Sequence, residues 1–144
     1  MTTEVFLDTN VRVYAFIARS ADPPDPRTQV AQDLLTRGGR ISVQVLNEFA
    51  DVASRNFQVS WGTILEMITS VRVLCGETMP LSAQTTESAI ALAKRHRLRI
   101  YDSLILASAI EAGCSAILTE ELQHGQLIDG MRIVNLFRAA EAGR

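Results

Sequence analysis

Lysine is almost absent from this chain: of 14 basic residues only Lys94 is lysine, and the rest are arginine. Cysteine is scarce too. Cys75 and Cys114 are too few for a disulfide framework and share no metal-like spacing with the two histidines, so they read as core thiols. No apolar run approaches the roughly 20 residues of a membrane span. The opening Met1-Thr2-Thr3-Glu4 lacks a basic region followed by an apolar one, so it does not read as a signal peptide, and the expectation is a cytoplasmic protein. Charge of one sign is also missing. The formal net charge of −2 does not announce a nucleic-acid binder. Arginine's planar fork suits bidentate phosphate contacts, but a GC-rich genome explains the bias equally well. What is present is a chain of 144 residues, 47% apolar, with no repeat, low-complexity segment or linker. That suffices for one core, and a single domain over 1–144 is expected.

Short apolar runs alternate with helical patterns. Val5-Phe6-Leu7 reads as a buried strand, and Asp8-Thr9-Asn10 as a helix start. Arg19 to Pro26 reads as a loop, with Asp25 capping a helix that opens on Pro26 and stops at Gly38-Gly39. Ile41-Ser42-Val43 is a second strand candidate. Val45, Leu46, Phe49, Val52 and Ala53 then follow helical spacing. Ser60 and Ser82 are candidate caps of two further helices, with a strand expected between them at Val71–Leu74. Tyr101 to Ala112 is an apolar helix closed by Gly113. Ser115–Leu118 and Met131–Val134 are the last strand candidates. The alternation indicates an α/β domain with a mostly parallel sheet buried on both faces.

In such sheets ligands bind beyond the carboxyl ends of the strands. Asp8 directly follows the first strand, Glu48 lies early in the helix after the second, and Asp102 opens the apolar helix. Glu120-Glu121 follow Ser115–Leu118, separated from it by Thr119. Clustered carboxylates repel unless a cation sits among them, and oxygen-only donors suit Mg²⁺ or Mn²⁺. The bland explanation for any one acid is a helix cap or a solvated first-turn acid. Glu48 fits it least, because it sits among Leu46, Phe49 and Ala50, where an acid needs a partner.

Phe6-Leu7-Asp8-Thr9-Asn10-Val11 followed by Val13-Tyr14-Ala15 resembles the opening motif of PIN domains, specifically those of VapC-like toxins. Asn47-Glu48-Phe49 resembles their second motif and Tyr101 to Ala109 the third. Ile117 to Gly125 resembles the last, followed by Ile128-Asp129-Gly130 and the strand Arg132–Asn135. The resemblance spans residues 5–137 and implies a three-layer α/β/α fold with a central five-stranded parallel sheet. It also implies Mg²⁺- or Mn²⁺-dependent RNA cleavage, a homodimer, and inhibition by a cognate antitoxin protein. Asp8 and Asp102 would then be the principal metal ligands and Glu48 would complete an acidic triad, with Thr9 and Thr119 shaping the site. The last motif departs from the family, which usually carries Thr or Ser, any residue, then Asp. Glu121 stands at the third place, and its extra methylene moves the carboxylate by about 1.5 Å, the length of a carbon–carbon bond. The shift would weaken a second metal position or push Glu121 to an outer role through water.

Arg12 would reach the acids or touch RNA phosphate, or simply be solvated. The basic cluster Lys94 to Arg99 offers Arg97 and Arg99 as RNA contacts, against the simpler role of cations at a helix C-terminus. His124 reads as a turn histidine bonded to backbone, ahead of a proton-transfer role. Trp61 and Phe57 read as core or dimer contacts rather than base platforms. Ser103 beside Asp102 does not make a serine hydrolase, because no Gly-x-Ser-x-Gly elbow exists. A haloacid-dehalogenase-like phosphatase would need a second Asp where Asn10 stands, and a supporting lysine that only Lys94 offers. A receiver domain would need a late lysine that is missing. A PIN fold that binds RNA without cutting it is the remaining alternative.

Overall fold

The computed structural model describes residues 5–13, 16, 26–120 and 122–135, without the side chains of Asn10, Arg12, Leu34 and Leu35. Tyr14-Ala15, the loop from Arg19 through the Asp25 cap, Glu121 and everything after Asn135 lie outside the described residues. In chain order the elements are β1 (Val5–Leu7), α1 (Thr9–Arg12), α2 (Pro26–Arg37), β2 (Ile41–Ser42), α3 (Val43–Phe57) and α4 (Trp61–Cys75). Then come β3 (Thr78–Met79), α5 (Ala83–His96), α6 (Ile100–Glu111), β4 (Ala116–Leu118), β5 (Leu127–Ile128) and β6 (Met131–Val134).

β1, β4 and β6 are parallel, and β5 closes the sheet antiparallel to β6, in the order β1-β4-β6-β5. β2 and β3 form a separate parallel pair. Arg40 stitches this pair to β1: its N–H donates to the Val5 carbonyl at 2.8 Å, and its carbonyl accepts from the Leu7 N–H at 2.9 Å. The expected single five-stranded parallel sheet is therefore a four-stranded sheet with a two-stranded ribbon bridged to its edge. The break has a local cause. Ser42 turns into the N-cap of α3 after two strand residues, its Oγ accepting from the Val45 N–H, so β2 ends before it can pair along β1.

Successive strand residues point to opposite faces. Phe6 and Leu7 are both fully buried, and so is Ile117 beside a nearly buried Leu118. Both faces of the sheet are thus covered, as expected of a layered α/β domain. One core joins these strands to Ile41, Val45, Val71, Leu104–Ala107 and Ile133.

Two local outcomes differ from the sequence reading. Val71–Leu74, expected as a strand, is the last turn of α4. Its β-branched residues favour a strand, but Ile64, Val71 and Cys75 are the buried residues of α4, and that spacing is helical. Packing period overrides propensity. β3 and β5 leave no signal in the sequence, because two residues carry no alternation to detect. The caps at Ser60 and Ser82 are present, Ser82 within a reciprocal capping box with Thr85.

Candidate active site

Parallel strands bring their carboxyl ends to one edge. Leu7 pairs with Leu118, so the residues that follow, Asp8 and Thr119, are neighbours at that edge. The Thr119 hydroxyl donates to Asp8 Oδ2 at 2.7 Å, and the Thr9 N–H donates to Oδ1 at 2.6 Å. Asp8 is 5% exposed. Its carboxylate is held from both oxygens, which fixes its orientation and offsets part of the cost of burying charge. Thr9 has a second role: its hydroxyl donates to Glu48 Oε2 at 2.9 Å. Glu48 thereby has the partner its place beside the apolar stripe requires, and Thr9 links two acids.

Glu48 reaches the site from α3 and Asp102 from the first turn of α6. Asp102 is not a helix cap, because Arg99 is the N-cap. Asp8, Glu48 and Asp102 line one cleft of about 520 Å³. Its α3 wall comprises Gln44, Asn47, Glu48, Asp51, Val52 and Arg55. These are the i, i+3, i+4, i+7, i+8 and i+11 positions of one helix stripe. Only the apolar stripe of α3 stood out in the sequence, although the polar one is equally periodic. The α6 side adds Arg99 and Tyr101.

The remaining candidates separate clearly. Glu120 is turned away, bound to Arg27 of α2 at 2.6 Å. Glu121 and the side chain of Arg12 lie outside the described residues. Arg97 is the exposed left-handed C-cap of α5 and is not among the cleft residues, whereas Arg99 is. Arg55 is tied to Asp51 at 2.6 Å, while Arg99 makes no ion pair among the described residues. Lys94 is exposed on α5 and does not line the cleft, so it cannot serve a phosphatase there. His124 accepts the Asn135 N–H at Nδ1, 3.0 Å away, which is the turn role expected of it. Trp61 and Phe57 are exposed, which overturns a core role for both. Ser103 is fully buried, and its hydroxyl donates to the Arg99 carbonyl at 2.9 Å, so this serine does not serve the cleft as a nucleophile.

Among the described residues, no group of three or more Asp, Glu, His or Cys side chains is drawn tightly enough to hold an ion by itself. The oxygen-only donors of Asp8, Glu48 and Asp102 nonetheless fit a hard divalent cation. Mg²⁺ in particular binds through one or two carboxylates, keeps several waters and takes the rest from substrate phosphate.

The PIN domain family model matches residues 5–124. No curated protein matches the chain. A toxin–antitoxin complex from Klebsiella pneumoniae is similar at TM-score 0.67 and 19% identity, over 92% of this chain and 98% of that one. VapC20 of Mycobacterium tuberculosis, a toxin that cleaves the sarcin–ricin loop, matches at TM-score 0.62 and 18% identity, over 79% and 87%. VapBC2 of Rickettsia felis, bound to promoter DNA, matches at TM-score 0.59 and 20% identity, over 90% and 96%.

Proposed function

Since the chain belongs to the PIN domain family, we propose that it is a metal-dependent endoribonuclease, the toxin of a toxin–antitoxin pair. The observation that carries the reading is the delivery of three carboxylates, from the end of β1, from α3 and from α6, into one cleft.

Asp8 and Asp102 would hold Mg²⁺ or Mn²⁺, with Glu48 beside them and Glu121 as a fourth acid. Bound there, such an ion supplies polarisation of a phosphate oxygen and an acidified water. The protein's part is orientation. Thr119 and the Thr9 N–H set the plane of the Asp8 carboxylate, and the Thr9 hydroxyl sets Glu48. Arg99 at the cleft rim offers charge to the RNA backbone, which a cleft rich in carboxylates otherwise repels. An RNA phosphodiester would be hydrolysed by in-line attack of water, with no covalent enzyme intermediate. Single-stranded or looped RNA suits a compact cleft better than a duplex.

A homodimer and a cognate antitoxin belong to the same proposal. The complexes solved for similar chains support an antitoxin partner. Trp61 and Leu65, one turn apart on α4 and both well exposed, give an apolar face that a protein partner would cover. No helix among the described residues is long and apolar enough to cross a membrane.

The test is cleavage of RNA by the wild type, Asp8→Asn and Asp102→Asn, with Mg²⁺ or Mn²⁺ and with chelator. Metal-dependent cutting by the wild type, lost in both variants, is the expected result. Variants that cut as fast as the wild type would place the chemistry elsewhere. A folded wild type that binds RNA and cuts none of it would be a binding module.

A further inference from the structure

Three aromatic side chains stand out as exposed among the described residues: Phe57, Trp61 and Tyr101. Only Tyr101 lines the cleft that holds Asp8 and Asp102. It is 52% exposed, next in sequence to Asp102 and two residues after Arg99. A tyrosine exposed to this extent leaves much of a large apolar ring in water, at a cleft lined mostly by polar residues. The residue lines the cleft that RNA would enter under the reading above.

The first turn of α6 holds this trio firmly. The Arg99 carbonyl accepts from both the backbone N–H and the hydroxyl of the buried Ser103, at 3.0 and 2.9 Å. Arg99, Tyr101 and Asp102 are therefore presented from one fixed turn, at the rim of one cleft. An aromatic face and a guanidinium lining one cleft are how proteins grip single strands: the base stacks and the cation meets phosphate.

We propose that Tyr101 is a nucleobase platform. It stacks an unpaired base next to the scissile phosphate, and Arg99 meets the phosphate flanking that base. The proposal rests on the ribonuclease reading above. Stacking needs a splayed base, so the subsite selects single-stranded RNA. A ring face carries no hydrogen-bond code, and the larger π-surface of a purine gives the stronger stack, so purine is preferred over pyrimidine.

The experiment measures binding of short oligoadenylate, oligouridylate and a perfect RNA duplex in the Asp8→Asn background with Mg²⁺ present. Tyr101→Ala is expected to weaken oligoadenylate binding roughly five- to hundredfold, the range seen for loss of one base–aromatic stack. It should erase most of the adenylate preference and leave duplex binding unchanged. Tyr101→Phe, which keeps the ring, should stay close to the parent. Arg99→Gln should weaken both oligomers alike and reduce the salt dependence. Equal binding of Tyr101→Ala and parent overturns the proposal and leaves the residue to a protein partner. Equal weakening by Ala and Phe also overturns it, because the hydroxyl would then be the contact. Cleavage is read separately with Asp8 intact. A wild type that cuts no RNA removes the nuclease reading, while the binding comparison still decides the platform.

Discussion

Thr119 donates its hydroxyl proton to Asp8 Oδ2 across 2.7 Å, although 111 residues separate the two in sequence. The parallel register of β1 and β4 makes them neighbours. Both are buried, Thr119 almost completely, which makes the bond hard for water to replace. Thr119→Val keeps shape and removes the donor. A hydrogen bond to a charged group contributes about 1.5–3 kcal/mol, so cleavage should fall roughly ten- to hundredfold. Thr119→Ser should restore most of it. Unchanged kcat in Thr119→Val would show that the carboxylate needs no support from β4.

Thr9 couples two acids through separate atoms, its N–H on Asp8 and its hydroxyl on Glu48. A side-chain substitution therefore cuts only the Glu48 link. In a double-mutant cycle with Thr9→Val and Glu48→Gln, the second change should cost much less once the first is made. A coupling of about 0.5–3 kcal/mol in the activation free energy is expected for groups in direct contact. Additive effects would mean that the two residues act independently.

Glu120 and Glu121 should behave oppositely although they are adjacent. Glu120 is bound to Arg27 at a partly exposed ion pair, and such pairs contribute at most about 1 kcal/mol. Glu120→Gln should leave metal-dependent cleavage near the wild-type rate and cost little in a denaturant midpoint. Glu121→Gln should slow cleavage. A Glu120→Gln variant as inactive as Asp8→Asn would reverse this assignment.

Much of this site is visible in the residues alone, for a definite reason. Asp8 follows a strand whose apolar run is continuous, and Asp102 lies in the first turn of a helix whose apolar content is extreme. Abrupt polarity changes mark both. Thr9 and Thr119 are legible only through resemblance, because a threonine beside an acid has no signature of its own. The polar stripe Gln44–Asn47–Asp51–Arg55 is periodic but was hidden behind the apolar stripe, whose burial dominates helix placement. The division of the sheet was not legible. It depends on Ser42 leaving β2 to cap α3, and a serine after one apolar residue fits strand and cap equally.

Gly39 sets the distance between the stitch at Arg40 and the strand that carries Asp8. A Cβ built there would lie 2.7 Å from Leu7 Cγ and 3.2 Å from the Val5 carbonyl oxygen. Leu7 cannot swing aside, because it is fully buried in the core between neighbouring elements. Gly39→Ala must then push the Arg40 segment away from β1 or displace Leu7, the residue before Asp8. Overpacking of this kind typically costs about 1–3 kcal/mol. Thermal or denaturant unfolding should show that loss, and cleavage should fall with it because Asp8 moves with the strand. Gly62, where a Cβ meets nothing within 4 Å, is the matched control on α4. Gly62→Ala should hold or raise stability through better helix propensity, by up to about 1 kcal/mol. Equal stability of Gly39→Ala and wild type would show that the approach to Leu7 is not tight and that β1 can yield without consequence for the site.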